Sequence, residues 1–380
     1  LDQKYFNYAT GFTMTNEKFN KFFGQKNRNP EKEKITQFHM DIAASIQKIT
    51  EDIILKICRD IKQEYNIENL CLAGGVALNC VANGKIINEK IFKNVWIQPA
   101  AGDAGGSLGA ALAYWYQELG NIRHIKKNNT DEMKGSYLGP EYSNDQIERK
   151  LKDCGAIFTK LNDEEIINQT ANCLSNGNAV GWFQGRMEFG PRALGARSIL
   201  GDPRSETMQK NLNLKVKYRE SFRPFAPSVL AEDVSNWFDL NLESPYMLIV
   251  SNVKKDKIIE MNSDQKKLFG INKLNIKRSE IPAVTHVDYS ARIQTVHKST
   301  NVRYFELLTK FKEITSCPVL VNTSFNVRGE PIVNTPSDAF NCFMGTELDK
   351  LVIGNFCLDK KKQNPNLKKN YNFTLALSQE

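Results

Sequence analysis

Apolar positions recur at helical spacing near the start of the chain. Ile42, Ile46, Ile49, Ile53 and Ile57 fall along one stripe of a helix predicted over 36–64, with charged residues between them. The run NLCLA at 69–73 reads as a short strand, closed by Gly74-Gly75 and followed by the helical VALNCVANGKIIN. A second strand is predicted at NVWIQP, and after the turn AAGDAGG an apolar helix runs through SLGAALAYWYQEL. Strand, glycine turn and helix thus occur twice in succession, the pattern of an α/β domain over 1–119. The polar segment 120–137 reads as a linker.

A second α/β region is predicted over 138–359. DQIERKLKDCG and EEIINQTANCLSNG read as helices, AVGWFQ and RIQTVHK as strands, RYFELLTKFKEIT as a helix and PVLVNTS as a buried strand. Thr335-Pro336-Ser337-Asp338 has the form of a helix start, with a capping Thr, Pro in the first turn and an acidic residue three after the cap. Residues 360–380 form a polar, lysine-rich tail, and no repeat of fixed period is present.

Composition changes this picture little. The 380 residues are 41% hydrophobic and 25% charged, which is ordinary for a globular chain, and the length suits two domains. No apolar run reaches the roughly 20 residues that a bilayer-spanning helix needs. The first residues lack the basic end and apolar core of a secretory leader. None of the eight cysteines forms a CxxC pair and most lie in apolar surroundings, so reduced thiols and a cytoplasmic setting are expected. The net charge of +8 is carried in part by lysine runs at 254–257 and 360–369, which does not favour nucleic-acid binding.

The arginines are distributed differently. GRMEFGPRALGARSILGDPRS (185–205) holds Arg186, Arg192, Arg197 and Arg204 among glycines and prolines, and Lys217, Arg219 and Arg223 extend the series. Guanidinium groups bind phosphate and carboxylate bidentately, and several packed together without counter-charge repel one another until an anion joins them. Glu188, Asp202, Glu206 and Glu220 could absorb part of that charge, but a surplus remains. Asn326 and Arg328 on a glycine-containing loop, with Arg292 on a strand, could close the far side of the same pocket. In the first region the Gly74-Gly75 turn offers free backbone N–H groups to a phosphate. Asp103 precedes a second such turn, where it serves either as a helix cap or as a metal ligand.

Taken together and in this order, GGVALN, GDAGGSLGAA, GRMEFGPRALGARSILGDPR, FRPFAPSVL and NTSFNVRGEPIV resemble the carbamoyltransferase family, which includes nodulation-factor and antibiotic O-carbamoyltransferases. The resemblance runs from about residue 36 to about 358. It implies part of an actin-like (ribonuclease H-like) ATPase domain followed by a YrdC-like domain. It also implies conversion of ATP and carbamoyl phosphate into carbamoyladenylate, then transfer of the carbamoyl group to a hydroxyl of a small-molecule acceptor. Residue by residue, Gly74 and Gly75 match the turn contacting the adenylate and Arg192 a nucleotide-phosphate contact. Arg223, Arg292, Asn326 and Arg328 match positions around carbamoyl phosphate, with Lys217 beside them, and Asp103 matches a carboxylate ligand of a divalent metal, iron or alternatively magnesium.

The family's paired histidines, spaced HxxxH, have no counterpart, since His39 and His124 stand alone. The expectation is therefore that the N-terminal half of the actin-like domain is lacking. Two other functions fit the same motifs: a tRNA threonylcarbamoyladenosine-type transferase, and a non-catalytic binder of carbamoyl phosphate or nucleotide. A homodimer is compatible with the sequence, and a membrane partner is not expected.

Overall fold

The computed structural model describes residues 2–29, 32–124, 131–268 and 271–369. The described residues form two compact units, one within residues 2–49 and one within residues 50–369. Within the described part of the first, Asn16 caps a helix at Glu17–Phe23, and Phe6, Phe19, Phe22 and Phe23 make its aromatic contacts.

The second unit begins inside a long helix, Gln37–Tyr65, close to the predicted one. Its buried face is not the isoleucine stripe. Ile46, Ile49, Ile53 and Ile57 are each about half exposed, whereas Glu51, Leu55 and Cys58 are buried. Leu55 and Cys58 pack with Ile86 and Phe92, and Lys85 pairs with the Glu51 carboxylate. The helix carries apolar residues on two faces, and periodicity alone selects neither.

Strands β1 (Asn69–Leu72) and β2 (Asn94–Ile97) pair in parallel around the intervening helix Cys80–Asn88. The remaining strands are β3 (Thr159–Lys160), β4 (Val180–Phe183), β5 (Arg197–Gly201), β6 (Ala226–Leu230), β7 (Ile249–Asn252), β8 (Ser290–Val296), β9 (Val319–Ser324), β10 (Lys350–Ile353) and β11 (Phe356–Asp359). They form one sheet in the order β3-β11-β10-β4-β5-β9-β6-β8-β7. Only β10–β4 and β6–β8 are parallel pairs, so the fold is α/β with a mixed sheet. Helix Val302–Thr315 packs on helix Asp163–Ser175 and lies against β6 and β9, and helix Pro336–Gly345 packs on helix Asn144–Asp153 and against β10 and β4. Thr335 caps that third helix as predicted, its hydroxyl accepting from the Asp338 N–H at 3.1 Å while the Asp338 carboxylate accepts from the Thr335 N–H at 2.8 Å.

Helix Cys80–Asn88 lies on β7, an end strand of the large sheet. A side chain at Gly84 would stand 2.2 Å from the Val250 carbonyl, so only glycine permits this approach. Asn83 donates to the Leu248 carbonyl at 3.0 Å. Asp131, within the predicted linker, accepts from the Trp96 indole at 3.1 Å and from the Tyr246 hydroxyl at 2.6 Å. Residues 120–137 therefore contribute a tie between β2 and the β7 side of the large sheet, although 125–130 lie outside the described residues.

The loop between β4 and β5 depends on Gly195, which has φ of +105° and whose added Cβ would sit 2.2 Å from the Tyr304 ring. Both the backbone strain and the clash oppose any substitution. Gly195→Ala is expected to destabilise the protein by about 2–5 kcal/mol, read as a lower midpoint in denaturant without a change in slope.

Candidate anion-binding site

The segment Phe189–Ala196 is gripped by its backbone from every side. The buried Glu188 carboxylate accepts from the N–H groups of Leu194 (2.6 Å) and Ala196 (2.8 Å). Gln294 on β8 and the Tyr137 hydroxyl both donate to the Leu194 carbonyl, at 2.8 and 2.7 Å. Asn322 on β9 donates to the Ala193 carbonyl at 3.1 Å, and the Trp182 indole to that of Gly195 at 3.0 Å. Asn322 and Ser228 also bond to Gln294, so a buried polar row across β6, β8 and β9 supports the loop. The Asn322 Oδ1 is left buried without a partner, but the bonds this row makes to the loop carbonyls fix the position of Arg192.

The four arginines of 185–205 then separate by partner. Arg197 is wholly buried, its Nε without a partner but its terminal nitrogens donating to the carbonyls of Gln184, Gly185, Ala196 and Pro140, and it lies 3.5 Å from the centre of the Phe183 ring. Arg204 forks onto Asp202 at 2.6–3.1 Å, and Arg186 faces Glu141 at 3.4 Å. Arg192 keeps unused donors. Its Nη2 reaches the Leu78 carbonyl at 3.3 Å, while its Nε is buried without a partner. That bond brings the loop to the first glycine turn, where Gly74 adopts φ of +93° and neither Gly74 nor Gly75 has an atom within 4 Å of its Cβ position.

A second set of cations lies on the loops after the Leu212–Val216 turn and after β9. Lys217 is 3% exposed, and its ammonium group donates to the Ser324 carbonyl and hydroxyl (3.1 Å) and to the Asn326 carbonyl (3.0 Å) and side-chain oxygen (2.8 Å). The Arg328 N–H returns to the Lys217 carbonyl at 3.2 Å. Lys217 is thus a clamp between two loops, not a cation pointing into open space. Burial, reinforced by the charge of Arg219, pushes its pKa down to about 7. Buried Asn213 accepts from Arg219 Nε at 2.7 Å and donates to the carbonyls of Ser221 and Arg223, fixing the loop that carries them.

Arg219 and Arg192 are both lowered to about 10. Burial is the main cause in each case, and the charge of Arg292 contributes to both. The Arg292 Nε is also buried without a partner. Arg192, Arg219 and Arg292 thus form a partly desolvated positive cluster. Arg223 and Arg328 are more exposed and share Glu220, at 2.9 and 3.6 Å. A cavity of about 530 Å³ lined by Tyr142, Phe183, Arg186 and Arg303 lacks this surplus, because Arg303 is paired with Gln184 and Asp163 and Arg186 with Glu141.

Asp103 opens the helix Asp103–Ala113 as an exposed first-turn residue, with Gly102 in the capping position. Among the described residues no group of three His, Cys, Asp or Glu side chains surrounds a metal-sized space. One carboxylate does not suffice to hold a divalent ion, so the residues described here do not by themselves fit one.

Sequence reasoning placed Arg192, Lys217, Arg223, Arg292, Asn326 and Arg328 in one pocket. It named Arg219 in the basic series without giving it a ligand role, named Glu188 as a counter-charge instead of an acceptor of loop N–H groups, and did not single out Asn322 or Gln294. The signal for Asn322 was present in PVLVNTS, where an amide stands in an otherwise apolar buried strand.

In class, this is an α/β protein with an arginine-rich, anion-receptive site on the loops of a mixed sheet. Residues 171–360 match the family described as Carbamoyltransferase C-terminus, and residues 1–112 match Carbamoyltransferase N-terminus. The chain belongs to the carbamoyltransferase family, a family of enzymes. It is 60% identical over 365 residues (96% of this chain, 59% of the relative) to an uncharacterized protein of Synechocystis sp.. It is 40% identical over 330 residues (86% and 56%) to nodulation protein NolO of Bradyrhizobium diazoefficiens. It is 32% identical over 285 residues (75% and 47%) to the 3'-hydroxymethylcephem-O-carbamoyltransferase of Streptomyces clavuligerus. The chain spans roughly half to three-fifths of the length of these relatives.

The match over residues 1–112 corrects the expectation that the N-terminal half of the actin-like domain is lacking, since the N-terminal family domain is represented here. A histidine motif can be missing from a region whose wider family pattern persists. Among the described residues, no helix is long and apolar enough to cross a membrane.

Proposed function

We propose that this chain takes part in ATP-dependent O-carbamoyl transfer, binding carbamoyl phosphate and ATP at the arginine cluster and passing the carbamoyl group to a hydroxyl of a small molecule. The observation that carries this reading is the unpaired, buried Nε of both Arg192 and Arg292, with Arg219 beside them. Uncompensated buried cations are costly, and a multiply charged ligand removes that cost.

In this reading Arg219, Arg223, Arg292 and Arg328 hold the carbamoyl phosphate, with Asn326 fixed beside it by Lys217. Arg192 and the open Gly74-Gly75 turn hold phosphate groups of the nucleotide. The same guanidinium groups stabilise charge that grows on the departing phosphate and pyrophosphate. Fold-level analogy extends the proposal to an actin-like first domain, which the β1–helix–β2 unit supports, and a YrdC-like second one. The eight free cysteines suit a cytoplasmic protein. No step is assigned to a metal at Asp103.

Pyrophosphate formation from ATP is expected to require carbamoyl phosphate and to fall at least about a hundredfold in Arg192→Ala, the scale of losing one charge-stabilising donor. Pyrophosphate released equally well without carbamoyl phosphate would argue for simple ATP hydrolysis instead.

A further inference from the structure

The arginine cluster contains its own counter-ion. Glu220 directly follows Arg219, and its two carboxylate oxygens face different guanidinium groups, Oε2 accepting from Arg223 Nε at 2.9 Å and Oε1 lying 3.6 Å from Arg328 Nη1. One carboxylate spanning two forks takes, in part, the place that a phosphoryl group would take. Burial acts to raise the Glu220 pKa, but a hydrogen bond from its own backbone N–H and the charges of Arg223 and Arg328 hold it below the usual carboxylate range. The group is therefore ionised at neutral pH.

We propose that Glu220 is a specificity determinant of this pocket, a resident counter-ion that an entering anion must displace. This inference rests on the anion-pocket reading given above. Both of its partners are about half exposed, so each pairing is weak and can be exchanged. A small anion that reaches only Arg223 and Arg328 gains little more than Glu220 already supplies, and is repelled by the carboxylate. A ligand with further groups that reach the partly buried Arg219 and Arg292 gains contacts that Glu220 does not make, and displaces it. The loops need not move for this exchange, because the Lys217 clamp and the Arg328 N–H bond to the Lys217 carbonyl are independent of Glu220. Only one flexible side chain swings. The pocket thereby rejects sulfate and inorganic phosphate and admits larger anions, a discrimination achieved by a built-in repulsive element.

The test is calorimetric titration of sulfate at fixed ionic strength into the wild type, Glu220→Gln and Glu220→Ala. Both variants are expected to bind sulfate at least about tenfold more tightly than the wild type. Carbamoyl phosphate should tighten less, so that its preference over sulfate shrinks. In Glu220→Gln/Arg328→Ala the gain for sulfate should vanish. Sulfate affinity unchanged or weaker in the folded single variants would overturn the proposal, and Glu220→Ala decides the matter should Glu220→Gln not fold. A wild type that fails to bind carbamoyl phosphate counts against the proposed function alone, because the Glu220 inference is read from sulfate.

Discussion

Arg292→Met is expected to separate binding from stability. In the ligand-free protein the substitution removes a charge that depresses both Arg192 and Arg219 and a buried Nε that has no partner. The folded state should therefore hold its stability or gain about 1 kcal/mol, in keeping with the exchange of strained site charges for apolar packing. Anion binding should move the opposite way. Loss of a desolvated guanidinium facing a dianion should weaken carbamoyl phosphate by about 2–4 kcal/mol, or roughly thirtyfold to several-hundredfold in Kd. Arg223→Ala and Arg328→Ala should each cost nearer 1 kcal/mol, because these side chains are about half exposed and already share Glu220. Thermal melts and titrations of the same samples check both halves, and a large loss of stability in Arg292→Met would show that its partners are structural.

Lys217→Met is expected to fail in stability and binding together. The ammonium group ties Ser324 to Asn326, and a methionine leaves the part-buried Asn326 carbonyl without this donor and the Ser324 carbonyl and Asn326 Oδ1 with only the bonds they make to each other's residue. Each charged hydrogen bond of this kind contributes about 1.5–3 kcal/mol, so a total loss of roughly 3–5 kcal/mol is expected. Anion affinity should fall with it, since Asn326 and Arg328 lose their registration with the 217–223 loop. The same lysine sets a pH dependence. Its pKa in the folded chain, about 7, lies below its ordinary value of 10.5, so between these values the unfolded chain holds a proton that the fold has lost. Its destabilising contribution is complete below pH 7 and is relieved as pH rises towards 10.5. Binding has the opposite slope, because above about pH 7 the pocket loses one positive charge. Sulfate, whose own charge is constant in this range, is expected to bind Glu220→Ala progressively less well above pH 7, and this dependence should be absent in Glu220→Ala/Lys217→Met.

Much of the frame was legible in the sequence. The helix at 37–65, the two strand–glycine–helix turns and the Thr335 cap follow from periodicity and local capping chemistry. Strand β6 did not, because Pro227 lies within it and proline argues against a central strand. The structure accommodates it because pairing with β8 starts only at Ser228. The hairpin β10–β11, turning at Gly354-Asn355 with φ of +52° at the glycine, carried a readable signal in LVIGNFCL that a search for longer runs passes over. At the site, a surplus of arginine was visible and so was part of its division, with Arg192 read as the phosphate contact and Asp202 as a counter-charge, but the partners of Arg197 were not. Arg197 is spent on backbone carbonyls that only the folded β4–β5 loop brings together, and the exposed isoleucines of the long helix show the same limit. Composition and spacing reveal which residues can act, while tertiary contacts decide which are already occupied.

The central claim is that the partly buried arginines Arg192, Arg219 and Arg292 form a pocket that binds carbamoyl phosphate. Its most direct test is calorimetric titration of carbamoyl phosphate into the wild type and Arg292→Met at two salt concentrations. Saturable one-site binding that weakens with salt and falls at least about thirtyfold in Arg292→Met is the predicted result. Absence of saturable binding to the folded wild type, or equal affinity in the two proteins, would contradict it.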